Sequence, residues 1–329
     1  MRPGRDAAMP VQIDALVRLA NEALDRKAGL ATAPVAGGDA EAVAAHAAAL
    51  RDILRVGTSA GGARAKAVVA WNPATGEFRS GQVAAPAGFE HWLLKFDGVS
   101  ENRDKEALAD PLGYGRLEYA YHLMARAAGI TMSDCRLFEE NGRAHFMTRR
   151  FDRPGPGGGA HAKKLHLQSL CALAHYDFNA AGAYSYEQAF EIARRLDQPP
   201  EALEELFRRA VFNVLARNQD DHTKNIAFLM DQSGRWHLAP AYDMTYSYNP
   251  DGAWTARHQM TLNAKTDNFT TADLLACARA AGLKTARAKA VIAAVADAVL
   301  RWPEFSATAV VSEDWMRKVA AAHRRLESP

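Results

Sequence analysis

The sequence predicts an α+β protein of two lobes, a small β-rich N-terminal lobe followed by a larger helical C-terminal lobe. Three observations carry this. Short apolar strand-like runs and an Asn-Gly hairpin signal concentrate in residues 55–153. Apolar residues at helical spacing dominate residues 154–329. The flexible run Pro154-Gly155-Pro156-Gly157-Gly158-Gly159 separates the two. Residues 1–54 precede both as an N-terminal helical segment.

The elements follow in order. Residues 11–27 carry Ile13, Leu16, Leu19, Ala20 and Leu24 near one helical face. Residues 29–38, rich in Gly, Ala and Pro, read as a linker, and Asp39 stands where it would cap a second helix ending near Leu54. Ala67-Val68-Val69-Ala70-Trp71 reads as a strand, Asn72-Pro73-Ala74-Thr75-Gly76 as a turn, and His91-Trp92-Leu93-Leu94-Lys95-Phe96 as another strand. Leu117, Ala120, Tyr121, Met124, Ala125 and Ala128 step by three and four along one helix face, inserted within the β region, and Gly129 ends it. Asn141-Gly142 joins two strands, Cys135–Glu139 and Arg143–Arg149. Leu203, Leu206, Phe207, Ala210, Val211, Val214 and Leu215 mark the buried face of a helix. Ile226–Leu229 and Trp236–Leu238 form a short hairpin around Asp231–Gly234, and helices return from 271 to 326.

Composition narrows the class. Hydrophobic residues make up 48% of the chain and charged residues 24%, which supports a globular fold with a substantial core. A net charge of +2 gives no global signal for nucleic-acid binding. Three scattered cysteines, Cys135, Cys171 and Cys277, form neither a disulfide framework nor a CxxC zinc pair, and point to a reducing cytoplasm. The start of the chain lacks the apolar core of a signal peptide, and no apolar run is long enough to span a bilayer.

The densest chemistry lies in Asn218-Gln219-Asp220-Asp221-His222-Thr223-Lys224-Asn225, between two hydrophobic elements. Asp220 and Asn225 stand five positions apart, the spacing at which phosphoryl-transfer loops hold a base and a metal-binding amide. Asp243 follows where a second metal-binding carboxylate is expected. Asp220 would orient the attacking hydroxyl; Asn225 and Asp243 offer the oxygen ligands that Mg²⁺ takes. His222 and Lys224 would support the loop or contact a phosphate. The bland alternative is a polar helix C-cap and turn. Zinc on Asp220, His222 and Asp243 lacks a familiar ligand spacing.

Two further features complete a phosphate site. Gly57-Thr58-Ser59-Ala60-Gly61-Gly62-Ala63-Arg64-Ala65-Lys66 offers small residues whose backbone N–H groups can approach an anion, although it lacks a Walker A ending. A plain glycine turn between helix and strand is the alternative. Lys95, flanked by Leu94 and Phe96, suits a cation on nucleotide phosphates, with Glu118 of the following helix as its partner. The alternative there is an edge-strand lysine facing water. The other histidines, among them His91, His161, His166, His175 and His258, show no partner pattern and read as surface or structural.

Together, Ser59–Lys66, Leu94-Lys95-Phe96, Arg149-Arg150-Phe151-Asp152-Arg153, Leu165–Leu173, the Asn218–Asn225 loop and Leu238–Asp243 resemble the HipA family of bacterial toxin kinases. The pieces spread over about residues 50–250. The resemblance implies a two-lobed protein-kinase-like (HipA-like) fold that uses ATP and Mg²⁺ to phosphorylate Ser or Thr of a protein. It implies Asp220 as the catalytic aspartate, Asn225 and Asp243 as metal ligands, and Lys95 as the ATP lysine. Ser59, Gly61, Gly62, Glu118, His222 and Lys224 are read beside them as the nucleotide-site candidates. It also implies a small helix-turn-helix antitoxin, operator DNA bound through that antitoxin, and an aminoacyl-tRNA synthetase as the kind of target. Residues 1–54 are fewer than precede the loop in full-length members, so the expectation is a short form without an extra N-terminal subdomain. Ser59 is the expected site of autophosphorylation, where a phosphate of about −1.5 to −2 charge would repel ATP. A small-molecule phosphotransferase and a catalytically inactive corepressor are the competing readings.

Overall fold

The computed structural model describes residues 12–13, 15–17, 64–81, 87–100, 112–154 and 164–326. The expected linker at 29–38, the helix at 39–54 and the Gly-rich loop with Ser59, Gly61 and Gly62 lie outside these residues. The chain divides into two compact units, residues 1–115 with 134–164, and residues 116–133 with 165–329.

The first unit is built on a five-stranded antiparallel sheet. Its strands are β1 (Arg64–Trp71), β2 (Phe78–Ser80), β3 (Glu90–Ser100), β4 (Cys135–Glu140) and β5 (Arg143–Arg149), in the order β2-β1-β3-β5-β4. The β1–β2 turn is held by Asn72, whose Oδ1 accepts from the Ala74 N–H at 2.9 Å. Asn141 and Gly142 both take positive φ, 44° and 77°, as a two-residue hairpin with the twist of its strands requires. One sheet face carries Ala67, Val69, Trp71, Trp92, Leu94, Phe96 and Met147, packed with Ile13, Leu16 and Val17 of the helical residues near the start of the chain. The other face presents Lys66, Lys95 and Phe146 side by side in register.

The edge-strand alternative for Lys95 is therefore corrected. β3 is the central strand, and Lys95 is buried.

Helix α1 (Tyr114–Ala127) has no acidic residue in its first turn. Its N-terminal N–H groups are met instead by Asp97 of β3, whose carboxylate accepts from the Gly113 N–H at 3.0 Å and the Gly115 N–H at 3.3 Å. From Arg116 onward α1 belongs to the second unit, although the sequence reads it as an insertion in the β region. Leu117, Ala120, Tyr121, Met124, Ala125 and Ala128 are all buried, and Gly129 follows at φ +82°.

The second unit is mainly helical: α2 (Leu170–Ala174), α3 (Tyr186–Arg195), α4 (Pro200–Leu215), α5 (Thr271–Ala280), α6 (Thr285–Leu300), α7 (Trp302–Thr308) and α8 (Glu313–Ala322). Helix α4 is its axis, packed against α3, α5 and α6. The expected hairpin is present as β8 (Ala227–Met230) and β9 (Trp236–Leu238), extended by a third strand, β6 (His166–Ser169), antiparallel to β8. A two-residue parallel pair, β7 (Tyr184–Ser185) with β10 (Met260–Thr261), was not legible in the pattern. Among the described residues no helix is long and apolar enough to cross a membrane.

Candidate active site

Helix α4 delivers the chain to the polar loop and the structure stops it there. Ala216 caps α4, Arg217 turns into the left-handed region at φ 57°, and Asn218 pairs in a parallel bridge with Ser247. Arg217 is held outside by the Ala322 carbonyl at 2.8 Å and the Gln219 side chain at 3.0 Å. The segment carrying Asp243 runs beside this loop. Asn218 Nδ2 donates to the Asp243 carbonyl at 3.4 Å, and Asp243 itself sits at φ 53°.

Within the loop, a 3₁₀ turn over Thr223–Asn225 brings Asn225 back onto its start. Asn225 Nδ2 donates to the Asp220 carbonyl at 2.9 Å. The five-residue spacing thus closes a ring, and Asn225 Oδ1 accepts no hydrogen bond among the described residues. Lys224 Nζ lies 4.0 Å from the centre of the Phe178 ring, and its carbonyl accepts from the Tyr242 hydroxyl at 2.6 Å. The His222 ring meets Phe178 edge-on, with Nε2 3.7 Å from Asp220 Oδ1.

The two aspartates differ completely. Asp220 keeps 40% of its side chain accessible, and its Oδ1 accepts from the Trp254 indole N–H at 2.7 Å. Enclosure by protein raises its carboxyl above the ordinary value. The Asp243 and Asp221 charges act in the same direction, while His222 and the Trp254 bond oppose them. Asp221 is buried and fully bonded: Oδ2 accepts from the Tyr186 hydroxyl at 2.7 Å and meets His258 Nδ1 at 2.9 Å, while Oδ1 accepts from the Gln259 N–H at 2.8 Å. Burial alone would raise the Asp221 carboxyl, but the neighbouring His258 and these bonds hold it below the usual range. Tyr186 also accepts from Asn213, which accepts from Asn218, so one buried chain of hydrogen bonds underlies the whole loop.

The structure brings Asp220, His222, Lys224 and Asn225 into one loop beside the Asp243 segment. Lys95 lies in the first unit, on β3, with Nζ 5.8 Å from the Phe146 ring centre. Glu118 is buried on α1 in the second. Trp254, Tyr186, His258 and Gln259 were not foreseen as parts of the site. They lie 27 to 38 positions from their partners among Asn213, Asp220 and Asp221, in segments without a recognisable motif.

A divalent cation fits the donor set. Asn225 Oδ1 and the Asp243 carboxylate are hard oxygen donors, and the Asp243 charge bearing on Asp220 is what a cation would offset. No group of three or more His, Cys, Asp or Glu suited to a metal occurs among the described residues. Mg²⁺ needs only one or two protein carboxylates, because it keeps several waters.

Comparison with known proteins agrees in fold. HipA of Shewanella oneidensis MR-1, solved in a toxin–antitoxin complex with HipB and operator DNA, superposes with a TM-score of 0.63 at 17% identity. That match covers 98% of this chain and 73% of that one. A Sinorhizobium fredii protein named "Putative kinase Y4mE" is 29% identical over 126 residues, 37% of this chain and 30% of its own length. This chain thus aligns with under a third of that curated relative. Residues 58–302, which include β1 through α6 and the whole Asp220–Asp243 region, match the HipA-like C-terminal domain as a family, and the chain belongs to that family.

Proposed function

We propose that this chain is an ATP- and Mg²⁺-dependent protein serine/threonine kinase of a toxin–antitoxin system. The observation that supports it most is the closed Asp220–Asn225 ring. One side chain ties the loop through its nitrogen and leaves its oxygen for a metal, while the adjacent carboxylate stays accessible.

Asp220 would accept the proton of the attacking Ser or Thr hydroxyl, and a raised carboxyl is a stronger base for that step. Asn225 Oδ1 and Asp243 would hold Mg²⁺, which supplies positive charge to phosphate oxygens when bound. Lys95 and Lys224 are proposed as cations for the nucleotide phosphates, with Glu118 and His222 in the same functional set. Ser59, Gly61 and Gly62 are proposed as the phosphate cradle, and Ser59 as an autophosphorylation site. The proposed boundaries are 1–54, 55–153 and 154–329, with residues 116–133 grouped with the last.

The HipB and operator DNA of the Shewanella complex suggest the partners: a small helix-turn-helix antitoxin, and DNA only through it. An aminoacyl-tRNA synthetase is the proposed target class, and the cytoplasm the proposed location.

The test is incubation with γ-labelled ATP, Mg²⁺ and bacterial lysate. A labelled protein band is expected, and Asp220→Asn should cut the transfer rate by roughly 10²–10⁴-fold with the fold unchanged by circular dichroism. Label in a small metabolite instead of protein would favour a small-molecule phosphotransferase. Full transfer by Asp220→Asn would remove Asp220 from the mechanism.

A further inference from the structure

Two adjacent aspartates grip one distant segment from opposite sides. Asp221 points inward, and its Oδ1 accepts from the backbone N–H of Gln259. The Gln259 side-chain amide turns back and donates to the Trp254 carbonyl, and also to the Arg257 carbonyl at 3.2 Å. This closes residues 254–259 into a tight loop. Its other end returns to the catalytic segment, where the Trp254 indole N–H donates to Asp220 Oδ1 at 2.7 Å. Asp220, in contrast to Asp221, points outward.

The Trp254 bond reaches only one carboxylate oxygen. Among the described residues no hydrogen bond reaches Asp220 Oδ2, and His222 Nε2 stands 3.7 Å from Oδ1. An indole is a donor without an acceptor, so it can take no proton from a substrate and can ligate no metal. What it can do is fix the rotation of the carboxylate about its Cβ–Cγ bond. With Oδ1 bonded to the indole, Oδ2 is the oxygen that has no hydrogen-bond donor among the described residues, and it is the one offered to a hydroxyl.

We propose, resting on the kinase reading above, that Trp254 is a positioning residue that orients Asp220 toward the acceptor hydroxyl and is itself set in place by Asp221 through Gln259. A bond to a charged acceptor in a partly enclosed site is strong, so its loss is expected to lower turnover roughly 10- to 100-fold. The nucleotide does not touch the indole in this scheme, so the KM for ATP is expected to stay within about twofold.

The experiment compares wild type, Trp254→Phe, Trp254→His, Asp220→Ala and the Trp254→Phe/Asp220→Ala double variant. Each is assayed for the initial rate of γ-labelled phosphate transfer into bacterial lysate protein over a range of ATP concentrations, with thermal melts alongside. Trp254→Phe should lose turnover at constant KM for ATP and near-constant melting temperature. Trp254→His, which retains a ring N–H, should recover part of the loss. In the Asp220→Ala background Trp254→Phe should cost nothing further, because the carboxylate it orients is gone. Wild-type turnover in Trp254→Phe, a loss carried by KM, or losses that multiply in the double variant would each overturn the Trp254 assignment while leaving the kinase reading intact. If wild type labels no protein, the kinase reading falls and this assignment falls with it; if Asp220→Ala transfers at the wild-type rate, Asp220 leaves the mechanism and the Trp254 assignment falls while the kinase reading stands.

Discussion

Asp221 is the residue on which the loop rests. Its carboxylate is buried and holds three partners, a phenol, an imidazole and a backbone amide. Asp221→Ala would strand all three, and breaking such a buried set by removing one partner costs about 3–5 kcal/mol. Chemical denaturation should show that loss as a lower midpoint. The pH dependence has a definite sign. The folded carboxyl sits below its unfolded value, so its contribution is present above about pH 4 and is lost as pH falls through the folded value. Asp221→Asn should therefore flatten the acid limb of the stability curve. At this scale the sequence, by spacing and family resemblance, singled out Asp220 over Asp221 as the expected base; the structure adds that Asn225 Nδ2 bonds the Asp220 carbonyl. Trp254 left no trace in it, because a hydrogen bond across 34 positions has no periodicity or motif to read.

Among the elements, the start of α1 is packed backbone to backbone. Gly115 lies against β5, and a Cβ at this position would stand 1.9 Å from the Ala144 carbonyl oxygen, a backbone atom that cannot swing aside. Gly115→Ala should destabilise by at least the roughly 1–3 kcal/mol usual for overpacking, read as a lower melting temperature. The same junction uses Asp97 as a remote N-cap, which no local capping pattern foretells. Long helices with one apolar face, such as α1 and α4, and the Asn141-Gly142 hairpin were legible because their signal is local. Strand β6 and the β7–β10 pair were not. Four- and two-residue strands carry too little alternation, and their partners on β8 and β10 lie far along the chain.

At the scale of the whole molecule, the C-terminal segment is tied into the helical unit by buried titratable groups. The Tyr121 hydroxyl donates its one proton to the Ala216 carbonyl at the end of α4, and accepts from His323 Nε2 at 3.0 Å. Burial, with help from Arg217, lowers the imidazole to about 4. The unfolded chain therefore binds this proton first, near pH 6.5. Stability from neutral His323 is present above that pH and is lost progressively as pH falls toward 4. Melting temperature measured from pH 7 to 4 should decline, and His323→Phe should decline less steeply over that interval.

By itself the sequence determined the α+β class, most long elements, and the family, through short motifs whose order survives without coordinates. Those features depend on neighbours within about a turn or a hairpin, where sequence distance and spatial distance coincide. Only the tertiary structure decided that Lys95 stands on a central strand, that α1 belongs with the helical unit from Arg116 onward, and that Asp221 faces inward while Asp220 meets Trp254. Each of these is a contact, or a choice of face, set by packing between distant segments, and pattern along the chain does not encode it.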